Sequence, residues 1–328
     1  MPTLITGGAG YIGSHTVLAA LDAGLEPIVV DNLYSGFRAA VPAGVPFYEG
    51  SILDAKFLAG VFAKHKINAV MHFAAHLEVE ESTRLPLKYY ENNVYGTLTL
   101  LRACAEAGGV ENFVFSSTCA TYGNPKKLPV DETCPQEPIS PYGASKLATE
   151  MLIKDYCAAA RPTMHYALLR YFNVAGADPK GRAGQSTPRA TQLVKVCGEV
   201  AAGKREKLTV FGTDYDTPDG TCVRDYIHVS DLAEAHVLAL NYLQRGGDSS
   251  AFNLGYGKGY SVLEIASAMK RVTGVDYRVE TTERRAGDPA EIYAAPERAN
   301  RLLGFKPKHA DIDLICRTSF EWEKKRPY

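Results

Sequence analysis

Tyr142 and Lys146 lie four positions apart and have residue types suited to proton transfer. Residues i and i+4 share one face of an α-helix, so the phenol and the ammonium can act on the same point. A free tyrosine has a pKa of about 10 and is a poor base at neutral pH, but a positive charge about 4 Å away lowers that value by up to about 3. The spacing therefore predicts Tyr142 as a general base assisted by Lys146. The alternative is an exposed pair on a surface helix.

Glycines at positions 7, 10 and 13 separate a predicted strand over residues 4–6 from a predicted helix that ends near Gly24. Such a turn brings the backbone close to a pyrophosphate, whose charge is met by the N–H groups and dipole of the helix N-terminus. A second strand over residues 27–30 ends in Asp31, which can accept hydrogen bonds from an adenosine ribose and would repel a 2′-phosphate. The sequence thus predicts NAD binding, and the cationic oxidised nicotinamide together with Lys146 would make Tyr142 a usable base. A glycine turn that serves packing alone is the alternative, but it requires no acid at position 31.

These residues need elements to position them, and the pattern along the chain supplies them. Helices are predicted over residues 54–64, 87–107 and 142–160, with Asp54 capping the first, and strands over residues 69–73 and 112–115. Strands that alternate with helices predict an α/β fold, a doubly wound parallel Rossmann sheet with helices on both faces. Ligands of such sheets bind at the carboxyl ends of the strands.

The length of 328 residues corresponds to about two domains at roughly 150 residues each. We predict an NAD-binding Rossmann domain over residues 1–175, with segments of about 222–258 returning to it. Residues 176–328 then form mainly a smaller, interleaved C-terminal α/β lobe for the substrate. In this lobe Ser230 and Asp231 are predicted to cap a helix, residues 251–254 to form a strand of the main sheet, and Ser261 to cap a helix to about Val272.

Composition excludes several other classes of protein. The net charge of −1 provides no field that attracts nucleic acid or an anionic membrane. Seven dispersed cysteines without a Cys-x-x-Cys pair predict neither a disulfide framework nor a zinc site, and a cytoplasmic location is the simplest. Residues 1–21 carry no charged side chain, but their glycines and the absence of a basic start argue against a signal peptide. His72, His76 and His228 lack the spacing of metal ligands, so no metal is predicted.

Taken in order, the motifs of this chain resemble those of the extended short-chain dehydrogenase/reductases, and within them the UDP-glucose 4-epimerases. The resemblance covers nearly the whole chain. The motifs that carry it are Thr6-Gly7-Gly8-Ala9-Gly10-Tyr11-Ile12-Gly13-Ser14-His15, Asp31-Asn32-Leu33, His72-Phe73-Ala74-Ala75, Asn92-Asn93-Val94, Phe115-Ser116-Ser117-Thr118, Tyr142 to Lys146, Arg170-Tyr171-Phe172-Asn173, and Val223-Arg224-Asp225-Tyr226-Ile227-His228-Val229.

The resemblance implies interconversion of UDP-glucose and UDP-galactose by transient oxidation at C4 with tightly bound NAD. Tyr142, as phenolate, would take the proton of the sugar 4-hydroxyl while the C4 hydride moves to NAD. Thr118 would hydrogen-bond that hydroxyl and Lys146 the cofactor ribose. The 4-keto sugar would then rotate and accept the hydride on its other face. The family also implies a homodimer formed through residues 87–107 and 141–160.

Family matches assign further residues to the two ligands and none to a metal. For NAD they are Gly7, Gly10, Tyr11, Ile12, Asp31, Asn32, Ser51, Ile52, Phe73, Ala74, Ala75, Asn93, Ser116, Tyr142, Lys146 and Tyr171. For the UDP-sugar they are Thr118, Tyr142, Asn173, Gln192, Phe211, Arg224, Arg285 and Asp288, with Asp288 in the motif Arg285-Ala286-Gly287-Asp288.

The chain also departs from the family pattern. Related enzymes that dehydrate or decarboxylate their sugar nucleotide have acidic residues just after Thr118, where this chain has Cys119 and Ala120, so epimerisation alone is predicted. Ser51 replaces an aspartate that touches adenine, and Leu77 replaces a lysine that contacts the cofactor in some members. Gln192 stands where the family has a sugar-contacting Asn or His.

Three alternatives stay open at this point. Ile292, at a position where residue size decides on N-acetylated sugars, is of intermediate size, so UDP-N-acetylhexosamines and UDP-pentoses remain possible substrates. A net NAD-dependent oxidoreductase would release reduced cofactor. A non-catalytic binder would be expected to have lost Tyr142 or Lys146, and this chain has both.

Overall fold

The computed structural model describes residues 1–159, 164–188, 190–285 and 288–328. Strands and helices alternate through the first half, as the pattern predicts. The strands are β1 (Pro2–Thr6), β2 (Glu26–Asp31), β3 (Phe47–Glu49), β4 (Ala69–His72), β5 (Asn112–Ser116), β6 (His165–Tyr171), β7 (Asn173–Ala175), β8 (Lys207–Phe211), β9 (Val223–His228), β10 (Ser250–Leu254), β11 (Gly259–Ser261), β12 (Arg278–Thr282) and β13 (Glu291–Ile292). The α-helices are α1 (Tyr11–Asp22), α2 (Ala55–Lys64), α3 (Val79–Arg84), α4 (Pro86–Tyr89), α5 (Gly96–Ala107), α6 (Pro141–Ala159), α7 (Leu193–Ala201), α8 (Val229–Gln244), α9 (Val262–Thr273) and α10 (Ile312–Lys325).

Seven parallel strands form the main sheet in the order β10-β6-β5-β4-β1-β2-β3. The order reverses between β1 and β4, which pair in register so that Thr6 lies beside His72. A crevice opens at the carboxyl ends of the strands where the order of a doubly wound sheet reverses. The doubly wound α/β fold is therefore confirmed, and it places the glycine turn and residues 73–75 next to each other.

Two hydrophobic cores cover the two faces of this sheet. Alternate residues of a strand point to opposite faces, so Ile5 packs into one core with α1 and α8, and Leu4 into the other with α2, α5 and α6. Burying one such side chain contributes roughly 1.5–3 kcal/mol. The cores make the sheet a rigid support for the loops at its carboxyl edge.

Strands C-terminal to β6 form two further, smaller sheets. Strands β11, β9 and β13 form a small sheet to which β7 adds by pairing with β9, and β12 pairs in parallel with β8. Residues 222–258 divide between the two parts, since β10 joins the main sheet and α8 packs on α1, whereas β9 belongs to the small sheet. The domain boundary near residue 175 stays a prediction.

Most predicted helix starts agree with the structure. The Asp54 carboxylate accepts from the Phe57 N–H, and Ser261 forms a capping box with Glu264. The Ser230–Asp231 cap is wrong. The α8 helix begins at Val229 after His228, whose Nδ1 accepts from the Ser230 N–H at 3.1 Å.

The predicted helix over residues 87–107 is helical but not regular. The α4 and α5 helices are joined by a π-helical segment, Tyr90–Tyr95. A π-turn takes one more residue than an α-turn and is frequent at functional sites. Here it lies directly against α6, the helix of Tyr142.

Two observations concern the whole of the described chain. Each helix in the described residues is too short or too polar to cross a membrane. No three His, Cys, Asp or Glu side chains are grouped there as a metal site would require.

Candidate active site

A single cavity of about 470 Å³ runs along the carboxyl edge of the main sheet. It is lined both by residues predicted for NAD and by residues predicted for chemistry. The predicted site residues in its wall are Gly7, Gly10, Tyr11, Ile12, Asp31, Asn32, Ile52, Phe73, Ala74, Ala75, Ser116, Thr118, Tyr142, Lys146, Tyr171, Asn173 and Gln192. The fold therefore brings together most of what the sequence predicts as one site.

The glycine turn forms a cradle that a side chain would fill. Gly7 has a φ of +72°, and a Cβ added to Gly13 would lie 2.1 Å from the Gly7 oxygen. The α1 helix starts after Gly10 with no side chain capping its free N–H groups, so these groups are available to an anion. The backbone thus fits the pyrophosphate of a dinucleotide.

Asp31 stands beside this turn and helps to shape it. Its two carboxylate oxygens accept from the Ala9 N–H at 2.9 Å and the Leu33 N–H at 2.8 Å. Burial raises the pKa of Asp31, and these backbone hydrogen bonds act in the opposite direction. Each oxygen keeps further lone pairs, so the carboxylate can still accept from a ribose hydroxyl.

Lys146 enters the cavity from α6, which begins at Pro141. Its Nζ donates to the Ser116 carbonyl at 2.6 Å and lies 4.4 Å from the centre of the Phe115 ring. Burial lowers the pKa of Lys146 to about 7, and the carboxylate of Glu150 acts against that change. No other lysine or arginine lines the cavity among the described residues, in agreement with the replacement of a lysine by Leu77.

Tyr142 lines the same wall one helical turn earlier, as its spacing to Lys146 predicts. Burial raises the pKa of its phenol, the neighbouring Tyr171 and Cys119 side chains add to that rise, and the Thr118 hydroxyl lowers it. The lowering of this pKa by Lys146 together with an oxidised nicotinamide stays a prediction. In the polypeptide itself burial dominates, and the Lys146 ammonium is directed to the Ser116 carbonyl. An additional positive charge in the cavity would favour the phenolate.

Thr118 and the two residues after it complete this wall. The Thr118 side chain accepts from the Ala120 N–H at 3.1 Å at the start of a short 3-10 turn. Burial raises the pKa of Cys119 to about 12, so this side chain remains a thiol at neutral pH. The wall after Thr118 therefore holds no acid or base for dehydration.

Two residues predicted to contact NAD lie behind the wall rather than in it. Ser51 is flanked by the lining residues Gly50 and Ile52, and its side chain accepts from the Leu53 N–H. Asn93 is buried and does not line the cavity. It donates to Ser145 of α6 at 3.0 Å and exchanges hydrogen bonds with the His76 backbone.

Four residues predicted for UDP form two pairs, and none of the four lines the cavity. Arg285 lies 3.7 Å over the Phe211 ring, and Arg224 pairs with Asp288 at 3.4 Å. Arg224 shares a face of β9 with the lining residue Tyr226, two positions on. Ala286 and Gly287 of the predicted turn lie outside the described residues.

The cavity also contains residues that sequence reasoning missed. Gln185 donates to Gln192 at 2.8 Å and so orients the amide of a predicted sugar contact. Tyr34, His76 and Tyr89 also line the cavity, and the Tyr89 ring lies 6.4 Å from that of Tyr142. None of them belongs to a periodic pattern or a family motif, so only their position in the fold reveals them.

Comparison with known proteins agrees with this geometry. The model of the NAD dependent epimerase/dehydratase family matches residues 3–255. The chain belongs to this family. A UDP-glucose 4-epimerase of Azospirillum brasilense is 51% identical over 98% of this chain and 91% of its own length.

Solved structures of the NAD dependent epimerase/dehydratase type have the same fold. The UDP-glucose 4-epimerase of Brucella ovis in complex with NAD is 46% identical, with a TM-score of 0.94 over 98% of both chains. That of Bifidobacterium longum in complex with NAD+ and UDP is 38% identical, with a TM-score of 0.94 over 100% of this chain and 99% of its own.

For a member of the NAD dependent epimerase/dehydratase family, the cavity has the parts that hydride and proton transfer require. The glycine turn and Asp31 lie in its wall, and so do Tyr142, Thr118 and Lys146, which carry a phenol, a hydroxyl and an amine. Both sets of residues face one continuous space.

Proposed function

We propose that this protein is a UDP-sugar 4-epimerase that interconverts UDP-glucose and UDP-galactose with tightly bound NAD. The observation that carries the proposal is the single cavity in which the glycine turn and the Tyr142, Lys146 and Thr118 side chains meet. Relatives at this level of identity over almost the full chain support the same substrate pair.

The roles of the residues follow from their chemistry. Tyr142 accepts the proton of the sugar 4-hydroxyl and later returns it, while the Thr118 hydroxyl orients that oxygen. Lys146 binds a cofactor ribose and adds positive charge near the phenol. NAD, when bound, supplies reversible hydride transfer and a positive charge in its oxidised ring. With Cys119 and Ala120 beside Thr118, no group here exchanges a proton at the neighbouring sugar carbon.

The nucleotide of the substrate is assigned to Phe211, Arg224, Arg285 and Asp288. Arg224 and Arg285 have guanidinium groups that match diphosphate oxygens, and Phe211 offers a flat face to a uracil ring. Asn173 and Gln192 line the cavity together with Tyr142. A firm hold on the nucleotide leaves the sugar free to rotate.

We further propose a homodimer in the cytoplasm. Large apolar side chains are exposed on the segments predicted for the dimer face, with Leu87 81% and Met151 57% exposed. All seven cysteines are unpaired, in keeping with a reducing compartment.

The test is incubation of the purified protein, without added NAD, with UDP-glucose, UDP-galactose, UDP-N-acetylglucosamine and a UDP-pentose, followed by separation of the epimers. We expect the first two to interconvert without net NADH. Conversion of only the N-acetylated sugar or the pentose would replace the substrate assignment. Continuous NADH formation would replace epimerisation with net oxidation.

A further inference from the structure

A buried ion pair lies directly behind the proposed reaction centre. Arg170 of β6 donates through Nε and Nη2 to the two carboxylate oxygens of Glu150 of α6, at 2.8 and 2.6 Å. Glu150 is fully buried and Arg170 is 2% exposed. Such pairs add little net stability, because desolvation of the two charges offsets their attraction. The contacts of this ion pair with its neighbours, rather than its contribution to stability, therefore explain why it lies here.

The pair is hydrogen-bonded to the strand end that carries the site. The Ser117 hydroxyl donates to Oε1 of Glu150 at 2.6 Å. Ser117 lies between Ser116, whose carbonyl receives Lys146, and Thr118, which lines the cavity. A shift of Ser117 thus moves both neighbours.

The hydrogen bond between Ser117 and Glu150 also joins α6 to the end of β5. Tyr142, Lys146 and Glu150 succeed one another at intervals of four residues and so share one helix face. Lys146 and Glu150 bind consecutive residues, Ser116 and Ser117. These two hydrogen bonds fix the separation between α6 and the end of β5.

Arg170 extends the network to the other side of Thr118. Its Nη1 donates to the Tyr122 hydroxyl at 2.8 Å, and that hydroxyl donates to Asn253 of β10 at 2.8 Å. Tyr122 ends the short turn that Thr118 begins. The segment around Thr118 is therefore held at both ends by one buried ion pair.

We propose that Glu150 and Arg170 are positioning residues for the proton-transfer site. Through Ser117 they hold residues 116–118 against α6, so that the Lys146 ammonium, the Thr118 hydroxyl and the Tyr142 phenol keep their relative positions. The inference rests on the proposed role of Tyr142 as base.

Glu150 also acts on the charge of the site. Its carboxylate counteracts the burial that lowers the pKa of Lys146 to about 7, and so favours the ammonium. The titratable groups that face the site from the surrounding elements are His72 on β4, His76 after it, Glu78 and Glu81 at α3, Tyr89 on α4, Cys119 after β5 and Tyr171 on β6. The carboxylate that raises the pKa of Lys146 is that of Glu150.

Three variants of the NAD-loaded protein test the proposal. Ser117→Ala removes only the link to residues 116–118, and Glu150→Gln removes the charge but keeps an oxygen that can accept from Ser117. Glu323→Gln is the matched control, since Glu323 is equally buried and pairs with the buried Lys195 in the second lobe. The measurements are the pH profile of kcat, the thermal midpoint, and the ultraviolet titration of Tyr142 as the difference from the same variant with Tyr142→Phe.

We expect Ser117→Ala and Glu150→Gln to move the acidic limb of kcat and the Tyr142 titration together to higher pH. At neutral pH, kcat then falls about tenfold for each pH unit by which the limb moves, with little change in KM. Glu323→Gln should lower the thermal midpoint and leave both titrations at the wild-type pH.

The proposal is overturned if Ser117→Ala, which keeps the ion pair intact, titrates like the wild-type protein. A fall in thermal midpoint without a change in either titration would likewise show a structural role only. If Tyr142→Phe alone keeps full activity, the proposed base is wrong, a failure that is distinct from the first two.

Discussion

Burial has opposite effects on the two groups proposed for proton transfer. It raises the pKa of the Tyr142 phenol and lowers the pKa of the Lys146 ammonium to about 7, so both side chains favour their neutral forms. A cationic ligand in the cavity reverses the effect on Tyr142, because it stabilises the phenolate. We therefore expect the proposed site to become more basic when oxidised cofactor is bound.

Tyr142→Phe removes the phenol and leaves the shape of the cavity nearly unchanged. We expect the protein to fold and retain NAD, and turnover to fall at least about 100-fold, since a positioned general base contributes about that much or more. Epimer formation from UDP-galactose measures the change.

Tyr277→Phe is the control for that substitution. Tyr277 is buried in the second lobe, where its hydroxyl donates to the Ala266 carbonyl at 3.0 Å. This variant should turn over at the wild-type rate. Near-normal activity of Tyr142→Phe would remove that phenol from the mechanism.

Among the helices, α1 and α2 each contain a glycine, and the two glycines differ in their surroundings. A Cβ on Gly13 of α1 would lie 2.1 Å from the Gly7 oxygen, whereas a Cβ on Gly60 of α2 meets nothing within 4 Å. The first glycine is required by the close approach of helix and turn. The second serves no purpose in packing.

Gly13→Ala should therefore open the turn, lower the free energy of unfolding by about 1–3 kcal/mol and release NAD. Gly60→Ala should raise that free energy by about 0.5–1 kcal/mol with NAD retained. Denaturant unfolding and the nucleotide content of the purified proteins check both. Equal NAD content in the two variants would contradict the phosphate cradle.

Helix starts show which local signals the sequence contains. Asp54 and Ser261 cap their helices with their own side chains, a short-range contact that residue type predicts. The predicted Ser230–Asp231 cap is wrong because the imidazole of His228 caps this helix by accepting from the Ser230 N–H, and Asp231 is buried against His309. The π-helical segment before α5 could not be predicted, since no residue type in it marks a turn with one extra residue.

Across the described parts of the molecule, four buried histidines have pKa values below the usual value near 6.5. Burial lowers the pKa of His15 and His236 to about 4, and that of His72 and His228 to about 3. In the folded state they stay neutral, while the unfolded chain binds protons below pH 6.5. Stability is thus present above pH 6.5 and is lost as pH falls toward 4.

Asp225 and Asp31 oppose this trend, because burial raises the pKa of both, that of Asp225 to about 6. Four histidines against two aspartates still leave an unfolding free energy that falls by more than about 1.4 kcal/mol per pH unit, the value for a single proton. Denaturant midpoints between pH 7 and 4 measure the slope. His72→Gln should reduce it, and a slope equal to that of the wild-type protein would contradict the assignment.

The proposed dimer is tested by placing a charge on its face. Met151→Arg puts a guanidinium on the exposed side of α6, and the sedimenting mass should fall by half. Leu21→Arg replaces a leucine that is 40% exposed on α1, away from this face, and should leave the mass unchanged. A dimer that survives Met151→Arg, or a monomeric wild-type protein, would contradict the proposal.

Much of the site could be predicted because its signals are short-range. The glycine spacing, the acid at position 31 and the interval between Tyr142 and Lys146 each lie within one turn, strand or helix. The alternation of strand and helix predicts the parallel, doubly wound sheet. These predictions needed no knowledge of distant contacts.

Other features depend on residues far apart in the chain. The positions of Ser51 and Asn93 behind the cavity wall, the pairing of Arg285 with Phe211, and the buried Glu150–Arg170 contact join segments that no local pattern connects. Desolvation belongs to the same class, because the pKa values of Tyr142 and Lys146 reflect how completely the folded chain excludes water from them. Residue type fixes which groups can transfer a proton, and packing fixes which of them are charged.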